Sequence, residues 1–150
     1  MTDRELVVAQ ARALFEGERD AIANAANLAA LIFASFSDLN WAGFYFVRGE
    51  ELVLGPFQGK TACVRIARGR GVCGTAWDKG ETLVVPDVHA FAGHIACDAA
   101  SNSEVVVPLV AGGQVVGLLD VDSPQRDRFL PGDVRALEEL AAVYLAASAL

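Results

Sequence analysis

The chain lacks several features that would assign it to a common class of protein. Its 150 residues carry twelve Lys and Arg against nineteen Asp and Glu, a formal charge of −7. The basic residues form no strong cluster, which argues against a nucleic-acid partner. The longest mostly apolar stretch, residues 21–36, is interrupted by Asn24, Asn27 and Ser35 and is shorter than the roughly 20 residues that a membrane span needs. The composition therefore predicts a folded globular protein with no membrane partner.

Cysteine is also scarce, with Cys63, Cys73 and Cys97 as the chain's three thiols. The polar start at residues 1–5 is not followed by an apolar run, which predicts no secretory signal. An odd number of cysteines without such a signal disfavours a secreted disulfide scaffold and favours reduced thiols in the cytoplasm. No two cysteines have the spacing of a zinc motif, and His94-x-x-Cys97 is a single half-site, so no metal site is expected.

The hydrophobic pattern predicts an α+β fold in one domain, residues 1–150, with one sheet and helices packed on a face. Thr2-x-x-Glu5 is a capping-box signature for the first helix. The predicted helices cover about residues 3–15, 20–36, 72–79 and 133–147. The predicted strands cover residues 40–47, 52–57, 63–66, 83–85, 104–110 and 114–122. Residues 87–103 remain as a long irregular segment, and such segments are usually functional or disordered.

The first predicted strand is rich in aromatic residues. Side chains alternate across a strand, so Trp41, Gly43 and Tyr45 share one face, and Phe44 and Phe46 share the other. Gly43 can leave a gap with two aromatic walls, which suits a small ligand. Alternatively, Trp41 and Tyr45 are core residues and Gly43 marks a bulge, which is the commoner arrangement.

Three carboxylates recur near the last two strands. Asp120 and Asp122 lie on one face of a strand, about 7 Å apart. Glu104 opens the preceding strand, 104–110, which is predicted to form a hairpin with strand 114–122. Close carboxylates repel each other, so the pKa of one can rise until it holds a proton near neutral pH. The alternatives are a solvent-facing strand end for the aspartates and an ordinary polar strand start for Glu104.

Cys97 lies in a segment of polar and small residues, 93–104, that is predicted to be a loop. Loops on a rigid scaffold often carry chemistry, whereas structural cysteines are usually buried among apolar neighbours. With Cys63 and Cys73 close in sequence, the pattern indicates attack by one sulfur and resolution by another.

With these segments placed, the chain resembles the free methionine-(R)-sulfoxide reductases, a stand-alone branch of the GAF-domain family. The resemblance covers almost the whole chain and distinguishes it from a generic GAF domain through the three cysteines and the loop around Cys97. It rests on Asn40-Trp41-Ala42-Gly43-Phe44-Tyr45, Leu54-Gly55-Pro56-Phe57-Gln58-Gly59-Lys60, Gly69-Arg70-Gly71-Val72-Cys73-Gly74-Thr75-Ala76, His94-Ile95-Ala96-Cys97-Asp98-Ala99-Ala100-Ser101-Asn102-Ser103-Glu104 and Leu119-Asp120-Val121-Asp122-Ser123.

The resemblance implies a GAF-like fold, with a central antiparallel sheet, terminal helices on one face and a ligand cavity on the other. It matches Cys97 to the catalytic cysteine, Cys63 to the principal resolving cysteine and Cys73 to the third cysteine. The matched residues of the substrate cavity are Trp41, Tyr45, Glu104, Asp120 and Asp122.

The implied reaction is thiol chemistry that needs no metal or organic cofactor. A Cys97 thiolate attacks the sulfoxide sulfur, and a carboxylate, with Glu104 as the first choice, protonates the oxygen. The cysteine becomes a sulfenic acid, a second thiol forms a disulfide, and thioredoxin restores the enzyme. A homodimer is common among GAF domains and is an expectation for this chain.

Two other classes of function fit the same fold. One is a GAF module that senses a small molecule and signals to a partner, and the other is a redox-sensing thiol protein without a turnover substrate. The three cysteines favour the enzyme over the first. Production of methionine would separate the enzyme from the second.

Overall fold

A computed structural model describes residues 1–94 and 99–150 of the chain. Its helices and strands match the α+β prediction in number and order. They are α1 (Asp3–Phe15), α2 (Ala21–Ser35), β1 (Trp41–Arg48), β2 (Glu51–Gly59), β3 (Arg65–Ala67), α3 (Gly71–Lys79), β4 (Leu83–Val85), a short 3-10 helix (Val88–Ala90), β5 (Ser103–Ala111), β6 (Gln114–Ser123) and α4 (Pro131–Ala147).

Local capping signals explain where the helices begin and end. The Thr2 hydroxyl accepts a hydrogen bond from the Glu5 backbone N–H at 3.2 Å, and the Glu5 carboxylate accepts one from the Thr2 N–H at 2.6 Å. This is the predicted capping box. Asp20 caps α2 by accepting from two backbone N–H groups, and Gly80 ends α3 in the left-handed conformation, with φ of 65°.

The six strands form one antiparallel sheet in the order β3-β2-β1-β6-β5-β4. β1 and β6 are its central strands. Their register pairs Trp41 with Asp122 and Gly43 with Asp120, and the register of β5 with β6 pairs Glu104 with Asp122. Backbone pairing therefore places the aromatic residues of β1 and the three carboxylates on adjacent strands.

The sheet separates two apolar clusters. On the helix face, α1, α2 and α4 pack over a cluster that includes Ala42, Phe44 and Phe46 of β1. On the opposite face, which we call the pocket face, α3 packs over a cluster that includes Trp41 and Tyr45. This alternation confirms the predicted division of the aromatic residues in β1. None of the helices in the described ranges is both long and apolar enough to cross a membrane.

Two local predictions were wrong. The third strand begins at Arg65 rather than at Cys63, which precedes it. Ile22 is 55% exposed, although its spacing from Ala25, Ala29 and Ile32 predicts that it lies on the buried stripe of α2. Asn24 lies on that stripe instead, because its amide donates to the Glu18 carbonyl and to the Ser148 hydroxyl, both at 3.1 Å.

Candidate active site

A cavity lies between the pocket face of the sheet and the N-terminal end of α3. It is lined by all five residues predicted for a substrate site and by Cys73. The cavity is also lined by three polar residues that the sequence pattern does not predict for a substrate site: Arg70, His94 and Ser101. The signal for Arg70 was its position between two glycines at the start of a predicted helix.

The aromatic wall of the cavity is a stack built on Trp41. Its ring lies 6.0 Å from that of Tyr45 and 5.2 Å from that of Phe57, centroid to centroid. The Trp41 indole N–H donates to the Lys60 carbonyl at 3.0 Å, and the Tyr45 hydroxyl donates to the Cys63 carbonyl at 2.8 Å. Both side chains are thereby fixed in orientation.

Of the two interpretations offered for Gly43, a gap or a bulge, the gap is wrong. A Cβ atom at this position would overlap the Cβ of Phe57 and lie 2.8 Å from Trp41 Cη2. The pairing of β1 with β2 changes register between Gly43 and Tyr45, so the bulge interpretation is correct. Gly43 is required because the neighbouring strand and the Trp41 ring fill the space that a side chain would need.

Glu104, Asp120 and Asp122 form the acidic wall, and each is only 6% exposed. This burial contradicts the alternative of a solvent-facing strand end. Asp120 Oδ1 has no hydrogen-bond partner within the part of the chain that the structure describes. Burial raises the pKa of Asp120 well above its ordinary value, and the charges of Asp122 and Glu104 raise it further. Asp120 therefore holds a proton more readily than an exposed carboxyl group does.

Cys73 faces the same acidic wall from α3. It is a buried free thiol, and its Sγ lies 3.8 Å from Glu104 Oε2, to which it donates a hydrogen bond. Burial, followed by the charges of Asp120 and Glu104, raises the pKa of this thiol well above its ordinary value. The thiolate is the nucleophilic form, so this environment suppresses the reactivity of Cys73.

The other two cysteines differ from Cys73. Cys63 is half-buried, two residues before the start of β3, and is disulfide-bonded. Cys97, the predicted nucleophile, lies outside the described residues. His94, the histidine of the half-site motif with Cys97, packs edge to face against His89 with ring centroids 6.0 Å apart. His89 Nε2 lies 3.1 Å from the Asn102 side-chain oxygen.

Comparison with known proteins identifies a family and similar proteins for this chain. The family model described as GAF domain matches residues 5–147. The chain is 54% identical over 130 residues to the free methionine-R-sulfoxide reductase of Escherichia coli, covering 87% of this chain and 79% of that protein. It is 53% identical over 141 residues to Protein YtsP of Bacillus subtilis, covering 93% and 86%.

Solved structures agree with these sequence matches. The X-ray structure of free methionine-R-sulfoxide reductase from Neisseria meningitidis in complex with its substrate superposes with a TM-score of 0.93. That protein is 46% identical in sequence, and the match covers 96% of this chain and 87% of the other.

Proposed function

The chain belongs to the GAF-domain family, within the branch that contains the free methionine-R-sulfoxide reductases, and from that premise we propose that it reduces free L-methionine-(R)-sulfoxide to L-methionine. The observation that carries the proposal is the cavity in which an aromatic stack faces three buried carboxylates, with Cys73 among its lining residues and Cys63 next to it in an oxidised state. We also infer that residues 1–150 form one domain.

The two walls suit the two ends of a free amino acid. The Trp41 ring offers an apolar surface for the S-methyl group. Asp122 and Glu104 offer negative charge for the ammonium group, which a peptide-bound methionine sulfoxide lacks. Because a carboxylate at 6% exposure is costly without a counter-charge, this wall would select the free amino acid over a residue within a protein.

The reaction requires a nucleophile and a proton donor. In our proposal the Cys97 thiolate attacks the sulfoxide sulfur, the S–O bond breaks and the oxygen is transferred to Cys97. Methionine leaves with its sulfur reduced by two electrons, and Cys97 becomes a sulfenic acid. We assign the proton for the sulfoxide oxygen to Asp120, because burial raises the pKa of this carboxyl group. The sequence-based choice of Glu104 as the acid stays a prediction, which a comparison of Asp120→Asn with Glu104→Gln tests.

Cys63 is our candidate for the resolving thiol. Its thiol condenses with the sulfenic acid, releases water and forms a disulfide, which an external dithiol of the thioredoxin class reduces. Support comes from the oxidation state, since Cys63 is disulfide-bonded whereas Cys73 is free. A cycle of this kind needs a reducing compartment, so we place the protein in the cytoplasm. The homodimer remains a prediction.

A thioredoxin assay coupled to NADPH oxidation tests the activity with separated epimers. We expect turnover of free methionine-R-sulfoxide and little turnover of the S epimer or of N-acetylmethionine sulfoxide. Equal rates on free and N-acetylated substrate would contradict the role of the acidic wall. Binding of the sulfoxide without methionine release would contradict the reductase activity and favour a ligand-sensing GAF module.

Single-turnover measurements without a reductant test the thiols. Cys97→Ser should release no methionine. Cys63→Ser should release about one methionine per chain and then stop, because attack precedes disulfide formation. Cys73→Ser is the matched control, because it replaces the third cysteine in the same way. In the thioredoxin assay it should keep more cycling than Cys63→Ser. A Cys63→Ser enzyme without a burst would reverse the two roles.

A further inference from the structure

The buried thiol of Cys73 lies among atoms that can act together as metal ligands. One atom from each of Cys73, Glu104 and Asp120 can be chosen so that all three lie within 4.8 Å of one another, and all three residues are buried. Two ligands of one tetrahedral zinc ion, at Zn–S of about 2.3 Å and Zn–O of about 2.0–2.2 Å, are separated by roughly 3.6 Å. The separation of 3.8 Å between Cys73 Sγ and Glu104 Oε2 is close to this value.

Asp120 supplies an independent indication of a missing partner. Its Oδ1 is buried, belongs to a residue that lines the cavity, and accepts no hydrogen bond from the described residues. A buried polar atom without a partner is costly, and its presence in a folded protein calls for an explanation such as a ligand or an ion.

The scaffold holds the three groups independently of their spacing in sequence. Cys73 lies in α3, Glu104 in β5 and Asp120 in β6. The strand register fixes the two carboxylates, because Glu104 pairs with Asp122 and Val106 pairs with Asp120. A search for paired cysteines cannot detect such a site, since its ligands come from three elements.

We propose that Cys73, Glu104 and Asp120 bind a zinc-like divalent cation, with solvent as the fourth ligand. A thiolate favours zinc over magnesium or calcium, which prefer oxygen ligands alone. Binding displaces the Cys73 proton to solvent. The cation would occupy the acidic wall, so it would exclude the substrate ammonium group; this consequence rests on the proposed function, whereas the binding itself does not.

Cobalt binding tests the ligand set. In a Cys63→Ser/Cys97→Ser protein, Cys73 is the single cysteine of the chain. Titration with cobalt chloride should give one Co²⁺ per chain with a thiolate-to-cobalt charge-transfer band in the near ultraviolet, and zinc chloride should abolish the band. The band is read on protein that retains Cys73, so it does not depend on whether a Cys73 variant folds. Saturation with Co²⁺ without this band would overturn the proposal.

Two acidic variants in the same background separate ligation from simple charge attraction. Asp120→Asn should weaken zinc binding by at least about tenfold to 100-fold, since even the loss of an outer-shell partner costs that much. Asp122→Asn makes the same carboxyl-to-amide change in the same wall but removes no proposed ligand, so its effect should be smaller. Equal losses in the two variants would mean attraction to an acidic cluster and would overturn the assignment.

Inhibition tests the consequence for the reaction. Zinc should raise the sulfoxide concentration needed for half-maximal single-turnover methionine release without lowering the rate at saturating substrate. A Cys73→Ser enzyme should lose this sensitivity to zinc. A protein that binds cobalt but reduces no sulfoxide would contradict the proposed function alone, and an active reductase without the cobalt band would contradict the metal site alone.

Discussion

The two faces of the sheet each bury a carboxylate centre, and the two centres are built in opposite ways. On the helix face, Asp133 accepts from Arg4 Nε at 2.9 Å, Arg128 Nη1 at 3.0 Å and the Leu130 backbone N–H at 2.9 Å. On the pocket face, Asp120 lies beside Glu104 and Asp122, and one of its oxygens has no partner among the described residues.

The pKa values of the two carboxyl groups move in opposite directions. Burial alone would raise the pKa of Asp133, but the Leu130 N–H, Arg4 and Arg128 outweigh it and lower the pKa. Burial and like charge together raise that of Asp120. The helix face satisfies its buried charge and gains stability, whereas the pocket face leaves binding capacity free for a ligand at a cost in stability.

The largest difference between the two faces should be in the catalytic rate of their aspartate variants. Asp120→Asn removes the proposed acid and should lower the single-turnover rate by about 10²–10⁴-fold. Asp133→Asn, the control on the helix face, should leave the rate of the folded protein near that of the wild type. Glu104→Gln and Asp122→Asn should mainly raise KM. If Glu104→Gln loses the rate and Asp120→Asn only raises KM, then Glu104 is the acid.

A second comparison uses neighbouring aromatic residues of β1 that face opposite sides. Phe44→Ala, in the core of the helix face, should lower the free energy of unfolding by about 3–5 kcal/mol. Trp41→Ala should cost less, because the Trp41 ring borders a cavity, but should raise KM for the sulfoxide by about tenfold. Urea unfolding and steady-state kinetics measure both. A Trp41→Ala enzyme with unchanged KM would contradict its binding role.

Asp133, whose charge is paired on the helix face, should contribute to the free energy of unfolding. Asp133→Asn should cost about 2 kcal/mol at pH 7, because it removes the charge that Arg128 and Arg4 share. The folded-state pKa of Asp133 is lowered below the unfolded value of 3.8. Its contribution is therefore complete above that value and lost as pH falls through the folded-state pKa. Urea unfolding from pH 7 to pH 2 should show the difference from wild type shrinking in acid.

The smallest effect should have the opposite sign. Asp120→Asn should raise the free energy of unfolding by about 1 kcal/mol at neutral pH. The folded-state pKa of Asp120 lies above the unfolded value of 3.8, so the wild type loses stability as pH rises from 3.8 through the folded-state pKa. The variant should lack this part of the pH dependence. A lower stability of the variant above pH 7 would show that the Asp120 carboxylate is compensated.

Local signals predicted most of the elements. The Thr2 capping box and the strand 83–85 depend on neighbours within a few residues, and the structure confirms them. The shared face of Asp120 and Asp122 followed from strand alternation alone.

Contacts between distant elements could not be predicted in the same way. The choice between a gap and a bulge at Gly43 depends on Phe57 and on the register change between β1 and β2. The contact of Cys73 with Glu104 depends on how α3 packs against β5. Which carboxyl group has a raised pKa depends on burial, and the sequence pattern does not measure burial.

The stacking of Trp41 also gives the cavity an optical reporter. The chain has two tryptophans, and the second, Trp77, lies on α3 with the Arg68 guanidinium carbon 5.2 Å from its ring centroid. Trp77→Phe would leave a single indole, in contact with Tyr45 and Phe57 at the cavity wall. Emission from that protein would then follow occupancy of the cavity directly, so ligand affinities could be measured by fluorescence without turnover and without a label.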